Sequence, residues 1–523
     1  MTINRTAMID YVDARIAQTS NPRHVEQLQV LRAHMAGEVS EDVDALLATI
    51  SPLRQQYRTW GAPEALQPTS REAIRAFYFE RQALGQLYFQ FDIDRLAVAD
   101  DIIITDGVMT SLVAPDHDVR APRAGERETK RSRWWVSGRA EVRSLGCHMT
   151  DVERVLIAGG GISGLTLAAA LHRDGLDVEL VELEREWNTS GAGLSVQPNG
   201  LRVLKSLGLD ARIADAGCVI SSWLFADDQG GVLCRIDLDS VWGEVGPLVG
   251  ITRARLQDVL VAGAQAVPCR LGTSIISIGE ATDGVSVRFT DGSTGDYDLV
   301  VGADGIRSAV RALVFGPVEP TFAGHISWRS VAPMRLPGPP SVQFWLGDRC
   351  FFGLCPVGDD RTYGFGHVTQ ERRYDPVEGR LGRLRERFAG FGPTVQDYLA
   401  ALDDDAQIHC SAIEWIDQEQ WHTGRVVLIG DAAHASSPLM GQGGSLAMED
   451  ASVLAEVLRT EPTLEQGFAA YTRRRAPRVW WVQAQSRAVA GSLNLPPHTR
   501  NKMLRGQGER MFHERYAPLA LRP

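Results

Sequence analysis

Gly159, Gly161 and Gly164 stand in G-x-G-x-x-G register inside Arg154-Val-Leu-Ile-Ala-Gly-Gly-Gly-Ile-Ser-Gly-Leu-Thr-Leu-Ala168, between an apolar strand-like run and a helix-like run. Eighteen residues after Gly164 comes Glu182, at the end of a second apolar run, Val178–Val181. These residue types at this spacing predict a dinucleotide site. The first glycine permits the tight turn. The second, followed by Ile162 and Ser163, lets the backbone approach a pyrophosphate. The third packs helix on strand, and the acid accepts hydrogen bonds from a ribose. The start of the helix attracts phosphate through its unpaired N–H groups and dipole. The alternative is a βαβ turn with no ligand; strand, helix and acid together favour the dinucleotide.

Two later segments narrow the choice. Asp298-Leu-Val-Val-Gly-Ala-Asp-Gly-Ile-Arg-Ser-Ala-Val-Arg311 is an apolar strand running into Asp304-Gly305, then Ser308 and Arg311. Arg425-Val-Val-Leu-Ile-Gly-Asp-Ala-Ala-His434 is another buried strand ending in Gly430-Asp431, followed by Pro438 and Gly441-Gln-Gly-Gly444. In this order the three segments resemble the FAD-dependent aromatic hydroxylases, the single-component flavin monooxygenases of the p-hydroxybenzoate hydroxylase type. The resemblance covers roughly residues 151–490.

The resemblance implies an α/β fold: a Rossmann-like FAD-binding domain with an inserted antiparallel β substrate domain, mainly 325–411. It implies FAD as cofactor and NADPH or NADH as co-substrate. O2 would add to the reduced flavin, and the C4a-hydroperoxide would hydroxylate a small aromatic molecule. Arg253 would reach the ribose–pyrophosphate, Asp304 the pyrophosphate region, and Asp431 the ribitol or ribose hydroxyls. Gly193, Pro438, Gly441, Gly443 and Gly444 would bring backbone close to the isoalloxazine. The helix from about Ser445, capped by that serine, would aim its positive end at the flavin. His434 follows the family motif but reads as a packing residue. No second complete G-x-G-x-x-G is present, which fits a nicotinamide that visits a groove.

Ser195-Val-Gln-Pro-Asn-Gly200, the Trp328 region and Gly441-Gln-Gly-Gly444 further resemble the FAD-dependent urate hydroxylases, which anchor urate with an arginine, a tyrosine and an aspartate. Here Tyr363 stands at the tyrosine position, as a substrate or catalytic contact. Phe351 stands at the arginine position, with Arg349 two residues earlier and on the same face if the segment is a strand. Leu439 stands at the aspartate position. Leaving a purine's polar groups unpaired in a buried site would cost on the order of 1–3 kcal/mol each. The expected substrate is therefore a more apolar aromatic or polyketide-like molecule. The alternatives are urate hydroxylation and an FAD-binding protein that is not an oxygenase. The W-x-W-x-I-P signature of flavin halogenases is absent.

Other elements must hold this constellation. Ile251–Leu260 reads as a helix whose start carries Arg253; segments near 272–278 and 283–290 alternate as strands. Leu464–Arg487 reads as helical, its arginines Arg473, Arg474, Arg475 and Arg478 forming a solvated face. Before the flavoprotein part, residues 1–116 read as a separate α+β unit, with helical periodicity in 25–36, 41–50 and 70–84 and strands at 88–96 and 102–110. Trp60, Arg71–Tyr78, Phe91–Asp94 and Asp106–Met109 resemble the SnoaL-like polyketide cyclase family. Residues 117–150 read as an arginine-rich linker and 151–523 as the monooxygenase domain.

Composition fits a globular enzyme: 523 residues, 44% hydrophobic, 23% charged. A net charge of −11 argues against nucleic acid as the main partner. No apolar run reaches the ~18 residues of a membrane span, and the N-terminus has no signal-like apolar core. The seven cysteines are scattered without a C-x-x-C pair, which reads as reduced thiols in a cytoplasmic protein and gives no metal site.

Overall fold

The structure, a computed structural model, describes residues 7–19, parts of 25–36, three strands between 89 and 137, and 152–523 apart from 188–191 and 282–283. The helices expected at 41–50 and 70–84, and Trp60, lie outside the described residues. The chain divides into two units, Met1–Ser144 and Leu145–Pro523.

In the first unit, helix α1 (Ala7–Ala17) is followed by an antiparallel sheet in the order β1 (Phe89–Ala99), β2 (Ile102–Leu112), β3 (Arg127–Ser137). The described residues of 25–36 are helical. The segment expected to be a linker thus carries a strand, paired from Ile102↔Ser137 to Leu112↔Arg127. Its basic residues fall in both phases of the alternation, so period two is hidden. Such charge is usual on an edge strand, where it discourages further pairing.

The second unit is built on a six-stranded sheet. Strand β4 (Arg154–Ala158) feeds helix α2 (Ile162–Arg173), which returns to β5 (Asp177–Glu182). Then follow β6 (Gly193–Val196), α3 (Pro198–Ser206), α4 (Asp210–Ala216), β7 (Cys218–Ile220), β8 (Ser222–Asp227), β9 (Val232–Asp237), α5 (Asp239–Trp242) and β10 (Leu248–Thr252). Helix α6 (Arg253–Gly263) leads to β11 (Cys269–Leu271), a three-stranded sheet of β12 (Ile275–Ala281), β13 (Gly284–Phe289) and β14 (Thr294–Tyr297), and β15 (Leu299–Gly302) with α7 (Ala309–Phe315). The substrate sheet uses β16 (Thr321–Ala332), β17 (Ser341–Leu346), β18 (Cys350–Pro356) and β19 (Thr362–Thr369); α8 (Arg380–Arg387) and α9 (Pro393–Ala400) precede β20 (His409–Trp415). The chain closes with β21 (His422–Thr423), β22 (Val426–Leu428), α10 (Asp431–His434), α11 (Gly443–Thr460), α12 (Leu464–Leu493) and α13 (Pro497–Ala520).

The central sheet has the order β11-β5-β4-β15-β22-β21 and is parallel through β22. Helices cover such a sheet, so its strands are apolar throughout; Val155–Ile157, Leu299–Val301 and Val426–Leu428 are all fully buried. The three sequence motifs leave the carboxyl ends of adjacent strands β4, β15 and β22, where ligands bind in open α/β sheets. The second large sheet has seven strands in the order β20-β16-β19-β18-β17-β8-β9. It therefore extends beyond the expected 325–411 segment by taking β8 and β9 from far upstream, with β8 parallel to β17.

Candidate active site

The glycine turn is tightly held. Gly159 has φ 110°, and a Cβ there would lie 2.4 Å from the Ala303 carbonyl oxygen. A Cβ on Gly164 would lie 1.9 Å from the Gly159 carbonyl oxygen, so the third glycine packs helix against turn as expected. Gly161 differs: a Cβ there would meet nothing within 4 Å. Glu182 braces the turn, accepting from Gly160 N–H at 2.6 Å and Glu184 N–H at 2.9 Å. Ile162 and Ser163 pack under the neighbouring motifs. A Cβ on Gly444 would be 3.3 Å from Ile162 Cδ1, and one on Gly430 would be 2.9 Å from Ser163 Oγ.

The other motifs close around this turn. Asp304 accepts from the Ser308 hydroxyl and from Val310 N–H at 3.0 Å, so its carboxylate caps α7. Arg311 is buried and donates to the carbonyls of Ala432 at 2.7 Å and Ile306 at 2.6 Å, tying the second motif to the third. Asp431 begins α10 directly after Gly430. Surrounding protein raises its carboxyl above the ordinary value, opposed by the charges of His434 and Arg253. Arg253 stands at the first position of α6, exposed, and its guanidinium makes no ion pair or hydrogen bond among the described residues.

At Gly193 a Cβ would lie 2.5 Å from the Tyr363 Cβ, so this glycine is needed for packing against Tyr363. Two expectations change in detail. Ser445 does not cap a helix: α11 starts at Gly443 after Gln442, and the buried Ser445 hydroxyl accepts from Gln197 N–H at 3.3 Å. The arginines of α12 are not all solvated. Arg475 is wholly buried, bonding Asp450 at 2.7 Å and Glu449 at 2.9 Å, and Arg478 reaches Glu449 at 2.7 Å. Asp450 also accepts from Gly430 N–H at 2.8 Å and pairs with His434 Nε2 at 2.6 Å. Burial alone would raise the Asp450 carboxyl; the charges of His434 and Arg475 outweigh it and hold it low. His434 is thus a packing and bonding residue beneath the turn, buried against Trp421.

Pro438 opens a short 3-10 turn, Pro438–Met440, and Gly441 takes φ 62° before α11. A Cβ on Gly443 or on Gly305 would meet nothing within 4 Å. Each of the three motifs therefore offers bare backbone to open space, at Gly161, Gly305 and Gly443, and the Arg253 charge acts on Asp431 of the third motif. This donor set fits a dinucleotide with an anionic pyrophosphate. A separate hollow of about 200 Å³ lies at the far end of α2, lined by Thr166, Arg173, Ser206 and Glu456. It is at the wrong end of α2 for the motifs, and Arg173 there already donates to the Ser206 carbonyl.

One face of the seven-stranded sheet is aromatic. Phe225 and Phe344 stack at 4.9 Å, Tyr363 and Phe365 at 5.0 Å, and Phe351 and His367 at 4.9 Å. Phe365 joins the groups, edge-on to Phe344 at 5.8 Å and to Phe351 at 6.0 Å. Leu439 packs on the same cluster. The Tyr363 hydroxyl has no hydrogen-bond partner among the described residues, and burial pushes it up to about 12. Arg349 does not join this face. It lies outside β18, in the exposed turn before it, with φ 54°, so the strand geometry assumed for it does not apply.

The sequence reading missed His367, His325, Phe225, Phe344 and Arg329. The alternation Tyr363-Gly-Phe365-Gly-His367 was a visible signal for part of this face. His325 and His367 lie 4.7 Å apart, both buried. Burial lowers both, helped by Arg349 at His325 and by His325 and Arg329 at His367. Folded-state values below the ordinary ~6.5 mean stability present above that pH and lost as pH falls through the lowered values. The unfolding temperature should therefore drop between pH 7.5 and 5.5. His367→Phe should show a smaller drop; an equal drop in both proteins would contradict the assignment.

Comparison with known proteins agrees with this geometry. The family described as FAD binding domain matches residues 152–486. The chain belongs to the FAD-dependent aromatic hydroxylase family of flavin monooxygenases. The monooxygenase is 36% identical to aurachin C monooxygenase/isomerase of Stigmatella aurantiaca over 345 residues, covering 65% of this chain and 88% of that protein. It is 32% identical to 3-amino-4-hydroxybenzoate 2-monooxygenase of Streptomyces cremeus, covering 66% of this chain and 88% of that protein. The solved structure of Klebsiella pneumoniae HpxO with FAD and uric acid matches with a TM-score of 0.65 and 28% identity, covering 70% of this chain and 97% of that one. Among the described residues of the monooxygenase, no helix is long and apolar enough to cross a membrane, and no cluster of His, Cys, Asp or Glu could hold a metal ion.

Proposed function

We propose that this monooxygenase uses FAD, NADPH or NADH, and O2 to hydroxylate an apolar aromatic or polyketide-like small molecule, and not urate. The observation that carries the substrate reading is the aromatic sheet face, in which Phe351 and Leu439 stand where the resemblance to urate hydroxylases calls for an arginine and an aspartate. Phe225, Phe344, Phe351 and Phe365 offer a purine's polar groups no partner, which leaves Tyr363 and Arg329 to bond them on this face, whereas a flat apolar ring system would gain burial there.

Bound FAD would supply the electron transfer and the oxygen chemistry. Arg253 would hold the anionic pyrophosphate, with the bare backbone of Gly161 donating beside it. Glu182 and Asp431 would accept from ribose and ribitol hydroxyls; Glu182 already bonds N–H groups and keeps lone pairs for this. Asp304 would act by holding the turn that presents Gly305. The start of α11 at Gly443 would place its positive dipole end against developing negative charge on the ring system. Tyr363 and the aromatic face would orient the substrate and exclude water. The nicotinamide co-substrate would approach by an open groove.

The reaction is assigned to residues 151–523, in a cytoplasmic setting supported by the scattered cysteines, of which the six described are free thiols. For residues 1–116 the SnoaL-like fold stands as part of the proposal, supported by the long antiparallel strands β1 and β2. NADPH oxidation by the FAD-loaded protein should accelerate with one or more apolar phenols and remain at its basal rate with urate. Rapid NADPH consumption coupled to urate hydroxylation would overturn the substrate reading.

A further inference from the structure

The aromatic face is covered in this structure. Phe351 is 6% exposed and Leu346 7%. Side chains so covered cannot receive a ring system until something moves. The cover is aliphatic: Leu493 at the end of α12, Leu504 of α13 and Leu439 of the turn before α11 pack with Phe351, Leu346, Phe344 and Phe365 in one cluster. Leu439 is fixed in the short 3-10 turn, and α12 is pinned by the buried Arg475 pairs. Helix α13 is held differently.

Its two halves are anchored unequally. From Gly508 onward the helix is fixed. A Cβ on Gly508 would lie 2.6 Å from Cys234 Sγ of β9, and Phe512 and Tyr516 pack on Trp223 at 4.8 Å and 5.5 Å. Tyr516 donates to the Met440 carbonyl at 3.0 Å, and Arg478 donates to the carbonyls of Pro518 at 2.9 Å and Leu519 at 2.5 Å. The first half rests mainly on Arg500. This buried side chain donates to the carbonyls of Gly347 at 2.6 Å and Leu346 at 3.0 Å, at the end of β17, and to Asn501 Oδ1 beside it. It has no ion pair among the described residues. Burying a guanidinium without a counter-ion costs free energy, so this anchor holds weakly. The exposed Arg505 adds a 3.8 Å pair with Asp227, of a kind worth little. Thr499, Lys502 and Gln507 are exposed. The halves meet at Gly506-Gln507-Gly508, and glycine weakens a helix interior because it loses more backbone freedom than any other residue. A Cβ on Gly506 would meet nothing within 4 Å, so no packing demand explains that glycine.

We propose that residues 497–507 form a latch over the aromatic face, held shut by Arg500 and hinged at Gly506–Gly508. Release of Arg500 from Leu346 and Gly347 lifts Leu504 off Phe351 and opens the face to a ring system. Reclosure packs Leu504 over the bound ring and excludes water. The hinge leaves Phe512 and Tyr516 in place, so Trp223 and the Met440 turn keep their contacts while the latch moves. Apparent affinity for the ring system is then reduced by the fraction of molecules that are open. This rests on the reading of the aromatic face as the substrate site.

The test uses the full-length, FAD-loaded protein, with 1-naphthol as the apolar ring probe and no turnover. Amide hydrogen exchange is followed in 497–507 and, as an internal reference, in 509–520. Association of 1-naphthol is followed by rapid mixing, through its perturbation of the flavin spectrum. Arg500→Met should speed both exchange in 497–507 and 1-naphthol association by about ten-fold, leaving 509–520 and FAD affinity unchanged. Gly506→Ala, which stiffens the hinge without a clash, should slow both by about three- to five-fold. A merely structural Arg500 would speed exchange in the two halves alike and leave association unchanged. Exchange in 497–507 no faster than in 509–520 in the parent protein, or association rates indifferent to both variants, would overturn the latch and leave the aromatic-substrate reading standing. If 1-naphthol perturbs the flavin of neither the parent protein nor the variants, both fall.

Discussion

Arg475→Leu is expected to destabilise the flavoprotein unit by about 3–5 kcal/mol, the range found when one partner of a buried ion pair is removed. Arg475, Glu449 and Asp450 are all fully buried. Arg475 donates to Asp450 at 2.7 Å, to Glu449 at 2.9 Å and to the Leu446 carbonyl at 3.1 Å. Its loss leaves two carboxylates in the core, of which Glu449 retains Arg478 and Asn199 while Asp450 retains only His434 and Gly430 N–H. Because Asp450 fixes Gly430, the damage should reach the cofactor turn as well as global stability. Denaturant unfolding of the variant beside the parent protein measures the first effect, and FAD retention during gel filtration the second. A change below about 1 kcal/mol would place Arg475 among exposed pairs of little worth and contradict the geometry.

Gly161→Val should leave folding nearly intact and weaken FAD binding by roughly 100-fold or more, a loss equivalent to one or two hydrogen bonds to a charged group. Gly161 has φ −82° and ψ −168°, an extended conformation open to any residue, and a Cβ there meets nothing within 4 Å. Added atoms would therefore enter only the space through which a pyrophosphate must approach. Gly159→Val is the contrasting variant, because its φ of 110° and the Ala303 carbonyl 2.4 Å from the new Cβ make folding itself fail. Circular dichroism together with FAD titration separates the two. If Gly161→Val takes up FAD like the parent protein, the glycine turn is not the pyrophosphate site.

The backbone-determined parts of the site were legible because glycine reports backbone directly. Gly159 and Gly164 could be assigned from spacing alone, since only a missing side chain allows those approaches, and the apolar runs before each motif gave the three central strands. What depended on tertiary pairing was not legible. Arg349 was placed on a strand face by counting two residues back from Phe351, but the chain turns at Gly347–Arg349 and that count does not survive the turn. Strands β8 and β9 join the substrate sheet from more than a hundred residues upstream of β17, so nothing local announces them. Arg475 was read as solvated because helical arginines usually are, and its partners lie 25 and 26 residues earlier. Arg329 became visible only through the register that puts it opposite Phe365.

The decisive measurement is the absorption spectrum of the FAD-loaded protein under anaerobic NADPH, alone and with a panel of apolar phenols and urate. The expected result is a yellow protein whose bleaching is accelerated by an apolar phenol and unaffected by urate. A protein that takes up no FAD, or one whose reduction responds to urate and to none of the phenols, would contradict the assignment of an FAD-dependent hydroxylase of apolar aromatic molecules.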